Sequence, residues 1–271
     1  MNAATTSALV TGGGRGLGRV LALGLADAGF GVGVLARTAA EVEATVREIR
    51  DRGGRAVPLV ADVRDGAAVE RSARRLREEL GPVGVLVAAA GQLRGIGPVG
   101  AAEAEGWWAD FETPTRGLWN AVRAVLPDLR QAARPAVVTL VGPGLNGPLA
   151  HGAGYAAAQA AVARLVECLA AEWAKAGIPI YAVNPGIVPT ALMNGLLDSP
   201  EGRRWLPGFT EAFAEGKEVD AGYVARMVAW LVAQRPAELS GRVVPALLDP
   251  ELLALRLGTI RGEDRHVLRL G

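Results

Sequence analysis

Thr11-Gly12-Gly13-Gly14-Arg15-Gly16-Leu17-Gly18 follows the apolar run Ser7–Thr11 and opens a helical pattern. Residues without a Cβ let a backbone turn tightly and approach a pyrophosphate, and a helix N-terminus presents free amides and partial positive charge there. Tight strand-to-helix turns favour glycine for their own sake, so the strand before and the helix after are what give this loop meaning. It is read as a dinucleotide cradle.

Working outward, short β-branched or apolar runs recur at Ser7–Thr11, Gly31–Ala36, Ala56–Ala61, Val83–Ala88, Ala136–Val141, Ile178–Val183 and Arg242–Leu247. Segments between them carry apolar residues at helical spacing, as in Val69-Glu70-Arg71-Ser72-Ala73-Arg74-Arg75-Leu76. Strands that do not alternate in polarity, separated by helices, predict a parallel sheet covered on both faces. The expectation is a single-domain α/β fold of Rossmann type, doubly wound, with about seven strands over residues 1–250. Two regions fall outside the alternation: 191–219, holding Trp205, Phe209 and Phe213, and the extension 251–271.

Lys and Arg number 29 against 28 Asp and Glu, which argues against binding driven by neutralising nucleic-acid phosphates. Only Lys175 and Lys217 are lysines, a bias that fits a GC-rich genome and lowers the weight of any single arginine. Met1–Ser7 has no apolar core of a signal peptide, and every long apolar run is broken by Gly, Pro or charge. A cytoplasmic protein without membrane attachment is expected. The single cysteine, Cys168, sits among apolar helical neighbours and reads as a buried small hydrophobe. No metal site is expected.

The Thr-Gly-x-x-x-Gly-x-Gly spacing resembles that of the short-chain dehydrogenase/reductase family, and the resemblance extends over most of the chain. It implies that Gly12, Arg15, Gly16, Leu17 and Gly18 meet the cofactor's pyrophosphate. Arg37 ends the second strand, where the family meets the adenosine ribose; a cation there suits a 2′-phosphate and hence NADP(H). Arg37 also reads as a solvated arginine at a helix start. Asp62-Val63 resembles the family's adenine-contacting pair, and Asp62 reads equally as an N-cap for the helix from Gly66. Ala88-Ala89-Ala90-Gly91 stands where the family has Asn-Asn-Ala-Gly, which groups Gly91 with the cofactor site. Asn184-Pro185-Gly186 with Pro189-Thr190 resembles the family's turn at the nicotinamide, implying contacts from Pro185, Gly186 and Thr190.

The resemblance also exposes losses. Tyr155 matches the family's catalytic tyrosine, but Gln159 holds the lysine position, Gly142 the serine position and Pro114 the asparagine position. A free phenol has a pKa near ~10, and lowering it by three units takes about 4 kcal/mol, which neutral glutamine cannot supply. A missing serine removes a hydrogen bond to the developing oxyanion, typically worth around 3 kcal/mol. Tyr155 is expected to be a poor general base and a usable general acid. His151, Asn146 and Thr139 are candidate substitutes for the lost groups. Thr113-Pro114 reads as an N-cap with proline at the first helical position.

Leu192-Met193-Asn194-Gly195-Leu196-Leu197 and Trp205-Leu206-Pro207-Gly208-Phe209 read as a substrate lid for a bulky apolar small molecule, or as residues packed on the sheet or a partner. The alanine-rich helix Tyr155–Ala176 is expected to pair with its copy in a homodimer or homotetramer, as the resemblance implies. The favoured function is an atypical NADP(H)-dependent oxidoreductase reducing a carbonyl, with Tyr155 as proton donor. A redox-inactive subunit and a non-redox isomerase, lyase or cyclase stand as alternatives, since a fold does not decide a function.

Overall fold

The inner strands of the central sheet are buried on both sides because helices of opposite faces claim their alternate residues. A computed structural model describes residues 6–260 and 267. The strands are β1 (Ser7–Thr11), β2 (Gly31–Ala36), β3 (Arg55–Val60), β4 (Val83–Ala88), β5 (Ala136–Leu140), β6 (Ile180–Asn184) and β7 (Val243–Pro245). They form one seven-stranded sheet in the order β3-β2-β1-β4-β5-β6-β7, and every pairing is parallel. The strands fall where the apolar runs predict, with ends displaced by one or two residues, and β7 is the shortest.

Helices α1 (Gly16–Asp27), α2 (Ala39–Asp51) and α9 (Ala221–Gln234) cover one face. Helices α3 (Gly66–Leu80), α4 (Ala104–Leu129) and α5 (Ala153–Trp173) cover the other. Val10, Val34 and Val87 point into the first core, while Leu9, Leu35 and Leu86 point into the second. Neighbouring residues of one strand thus serve opposite layers, which is why the strand sequences show no polar alternation. Arg77 on α3 donates to the carboxylate of Asp128 on α4 at 2.8 Å, and the same carboxylate accepts the Val83 amide at 3.2 Å. One buried acid therefore ties two helices to the start of β4.

Between β6 and α9 lie α6 (Ala191–Asp198), α7 (Pro200–Trp205) and α8 (Pro207–Ala214). The expected glycine-containing loop is helical. Thr190 caps α6 through Met193 N, Ser199 caps α7 through Gly202 N, and prolines open α7 and α8. After β7 come α10 (Pro250–Ala254) and α11 (Leu257–Ile260); most of the extension 251–271 beyond them lies outside the described residues. Among the described residues no helix is long and apolar enough to cross a membrane.

Three local readings are corrected. Thr113-Pro114 does not start a helix; both lie in the middle of the 26-residue α4, whose packing on β4, α3 and α5 outweighs the hydrogen bond that Pro114 cannot donate. The N-cap of α3 is Asp65, which accepts from Ala68 N, not Asp62. Cys168 is exposed, because it lies on the outer face of α5, whose core face carries Val162, Val166 and Leu169. That helix begins at Ala153, two residues before Tyr155.

Candidate active site

The strand order reverses direction between β1 and β4, and a crevice opens beyond their carboxyl ends. There two segments of the backbone touch. The amide of Ala89 donates to Thr11 O at 3.1 Å, and a Cβ on Gly12 would lie 2.8 Å from both Ala89 O and Ala90 N. Gly12 also has φ of 69°, so a side chain is refused by space and by conformation. At Gly18 a Cβ would sit 2.1 Å from Gly12 O, so the glycine lets α1 pack onto its own loop. No side chain caps the first turn of α1, and its amides open toward the crevice.

One cleft is lined by Gly12, Arg15, Gly16, Leu17, Gly18, Arg37, Asp62, Val63, Gly91, Tyr155, Pro185, Gly186 and Thr190. The residues singled out in the sequence thus converge on one surface from six segments. The same cleft is lined by Thr38, Glu41, Thr113, Gly142, Pro143, Gln159, Leu192 and Met193. Thr38 and Glu41 are ordinary helix-start residues and carry no sequence signal; only the packing of α2 beside the glycine loop brings them in.

Charge is concentrated at one end. Arg15 pairs with Glu41 at 3.4 Å, and Arg64 grips Asp62 with 2.7 Å between Arg64 Nη2 and Asp62 Oδ2. That side-chain hydrogen bond from Arg64 holds the Asp62 carboxyl below its ordinary range. Arg37 donates to the neutral Gln92 at 3.3 Å, and its charge acts on the Asp62 carboxylate without a hydrogen bond between the two. A cradle free of Cβ atoms and an uncapped helix start fit a dinucleotide's pyrophosphate.

The tyrosine end is nearly devoid of charge. Burial pushes the Tyr155 phenol up to about 12, with a smaller push from the Asp110 carboxylate. Its hydroxyl has no hydrogen-bond partner among the described residues. A Cβ on Gly142 would fall 2.3 Å from that hydroxyl. Gln159, 3% exposed, accepts the Gly142 amide through Oε1 at 2.8 Å and donates to Tyr155 O at 3.4 Å. Asp110 is fully buried on α4 and accepts the amides of Arg94 and Gly95 at 2.8 and 2.7 Å. Its own pKa is raised by desolvation against these hydrogen bonds.

The candidate substitutes do not assemble at the tyrosine. His151 takes φ of 66° and places its ring 4.7 Å from that of Trp205, away from the cleft lining. Asn146 is exposed outside the cleft. Thr139 lines the cleft but donates its hydroxyl to Ala88 O at 3.1 Å. Met193, Leu196, Leu206 and Phe209 pack into a third apolar cluster with Leu149 and Ile96, so most lid residues bury one another. Leu192 and Met193 still face the cleft.

The profile of the short chain dehydrogenase family matches residues 6–200. A short chain dehydrogenase of Pseudocercospora fijiensis is 34% identical over 188 residues, 69% of this chain and 60% of that protein. The 3-oxoacyl-(acyl-carrier-protein) reductase of Staphylococcus epidermidis is 30% identical over 242 residues, 88% of this chain and 96% of its own. A crystal structure of an actinorhodin polyketide ketoreductase variant with NADPH superposes with a TM-score of 0.78 at 28% identity, covering 89% of this chain and 95% of that one.

The Asp110 charge gives a test of the site's electrostatics. Removing it with Asp110→Asn should lower the Tyr155 pKa, because a nearby anion disfavours phenolate. The phenol should still titrate above the ordinary value, since burial is the larger cause. Ultraviolet difference titration against Tyr155→Phe isolates this one hydroxyl; an unchanged or raised midpoint would mean that Asp110 does not act on it.

Proposed function

The chain belongs to the short-chain dehydrogenase/reductase family, a family of oxidoreductases, and we propose that within it the protein is an NADP(H)-dependent carbonyl reductase acting on an apolar small molecule. The observation that carries this reading is the Tyr155 hydroxyl: unpaired, in the cleft, and holding its proton up to about pH 12. With the pKa near ~12 rather than ~10, phenolate is about a hundredfold scarcer at neutral pH. Tyr155 is therefore protonated at neutral pH and unsuited to remove a proton; it can donate one, as a weaker acid than a free phenol. Neither a lysine nor a serine assists it, because Gln159 and Gly142 stand there, hydrogen-bonded to each other.

The residues that would hold the cofactor are the glycine loop with the start of α1 at the pyrophosphate, Arg37 at a 2′-phosphate, and Pro185 to Thr190 at the nicotinamide. A reduced nicotinamide, when bound there, supplies hydride. Tyr155 gives the proton to the carbonyl oxygen, while Leu192, Met193 and Pro143 exclude water from the reacting end. A reductase and a ketoreductase solved with NADPH are among the similar proteins, which supports a nicotinamide cofactor.

Assembly as a homo-oligomer is part of the proposal. Trp108 and Trp119 are 57% and 46% exposed on α4, eleven residues apart and so three turns up the same face. The outer face of α5 beside them presents Ala153 and Ala157. Large aromatics next to small residues make a surface suited to close helix packing with a second copy.

Three outcomes are expected. NADPH should bind at least tenfold tighter than NADH, about 1.4 kcal/mol, and Arg37→Ala should erase the difference; calorimetric titration showing equal wild-type affinities would remove the 2′-phosphate assignment. Tyr155→Phe should abolish carbonyl reduction while NADPH affinity stays within about twofold; turnover that survives, and that is indifferent to NADP⁺ or NADPH, would move the protein to a non-redox catalyst. Trp119→Asp should shift the mass measured by light scattering to that of one chain, and a wild type already of that mass would end the oligomer reading.

A further inference from the structure

Gly142, Tyr155 and Gln159 occupy the positions of the family's serine, tyrosine and lysine, and here they touch one another. The loop after β5 reaches the cleft at Gly142, and the first turn of α5 presents Tyr155 to it. A Cβ on Gly142 would lie 2.3 Å from the Tyr155 hydroxyl and 3.3 Å from Cζ, so the phenol fills the space a side chain would need. One turn along α5, the Gln159 amide bridges the two segments. It takes the Gly142 N–H on its oxygen at 2.8 Å and gives its own N–H to Tyr155 O at 3.4 Å. Gly142 and Gln159, 3% exposed, are buried, while Tyr155 is half-buried with its ring at the cleft.

We propose that Gln159 is a positioning residue for Tyr155, acting through the main chain of Gly142, so that the three form one interlocked unit. Glutamine can do this because it carries an acceptor and donors on one planar group. Lysine carries donors only and would leave the Gly142 amide buried without a partner while pointing a cation at it. Serine at 142 would meet the phenol. Neither family residue can then be restored alone: Gln159→Lys should loosen the site rather than revive alcohol oxidation. The inference rests on Tyr155 being the proton donor, but its geometry can be tested separately.

The direct readout is hydrogen exchange of the Gly142 amide in the full-length protein, followed by NMR, with tyrosine ionisation read by ultraviolet difference against Tyr155→Phe. Gln159→Met keeps length and removes the acceptor; it should speed Gly142 exchange at least tenfold and raise the Tyr155 ionisation constant about tenfold as water reaches the phenol. Gln159→Glu keeps the acceptor and should restore slow exchange, with Tyr155 titrating no lower than in wild type; its added charge acts in the same direction as that of Asp110, the other titratable group facing the phenol. Gln159→Lys should behave as Gln159→Met does. Gly142→Ala provides an independent arm, since its methyl should displace the ring and raise the ionisation constant whatever stands at 159. Unchanged exchange in Gln159→Met, retained protection in Gln159→Lys, or an unchanged Tyr155 titration in Gly142→Ala would each overturn the proposal. Turnover surviving in Tyr155→Phe would instead remove the proton-donor reading and leave the exchange result standing.

Discussion

Everything at the functional end of this protein depends on two backbones meeting where β1 and β4 part. The Thr11–Ala89 hydrogen bond and the contact of Gly12 with Ala89 and Ala90 leave no volume for a Cβ. That closeness lets the glycine loop turn at once into α1, which aims the helix start into the crevice. The crevice itself follows from topology: with β2 and β3 on one side of β1 and β4 to β7 on the other, the crossovers leave in opposite directions. A hydrophobic sheet buried on both faces forms the scaffold that positions the loops at its carboxyl edge.

Within the cleft the two ends differ in physical character. The end near β2 and β3 carries Arg15, Arg37, Arg64, Glu41 and Asp62, charges of both signs that act on one another. The end near α5 carries a half-buried phenol, an amide side chain and a glycine. Low polarity there raises the Tyr155 pKa, where a neighbouring cation would lower it. Read one position at a time, Gly142, Gln159 and Pro114 look like separate losses. In space, Gly142 makes room for the phenol and Gln159 satisfies the amide that Gly142 exposes.

The lid shows how far an apolar pattern can be read. Leu192, Met193, Leu196, Leu206 and Phe209 were legible as hydrophobic, and so was their place after the Asn-Pro-Gly turn. Whether they contact a substrate or one another depends on three short helices whose caps are single residues, Thr190 and Ser199, and whose starts are single prolines. Such short segments leave too little periodicity to detect. His151 belongs to the same lesson: its distance from Tyr155 along the chain suggested proximity, yet a left-handed backbone turns its ring onto Trp205.

By itself, the sequence determined the parallel sheet, the glycine loop and the residues, Tyr155 among them, that line the cleft around that loop. These are set by local rules: period, β-branching, absent Cβ atoms and motif order along one strand-turn-helix unit. Tertiary structure alone decided that Cys168 faces outward, that Pro114 sits inside a helix, and that Thr38 and Glu41 reach the cleft. It alone brought the Gly142 amide to the Gln159 side chain, seventeen residues away, and the Asp110 charge to Tyr155. Contacts between separate elements have no periodicity to read, because they are settled by which faces the packed helices turn toward each other.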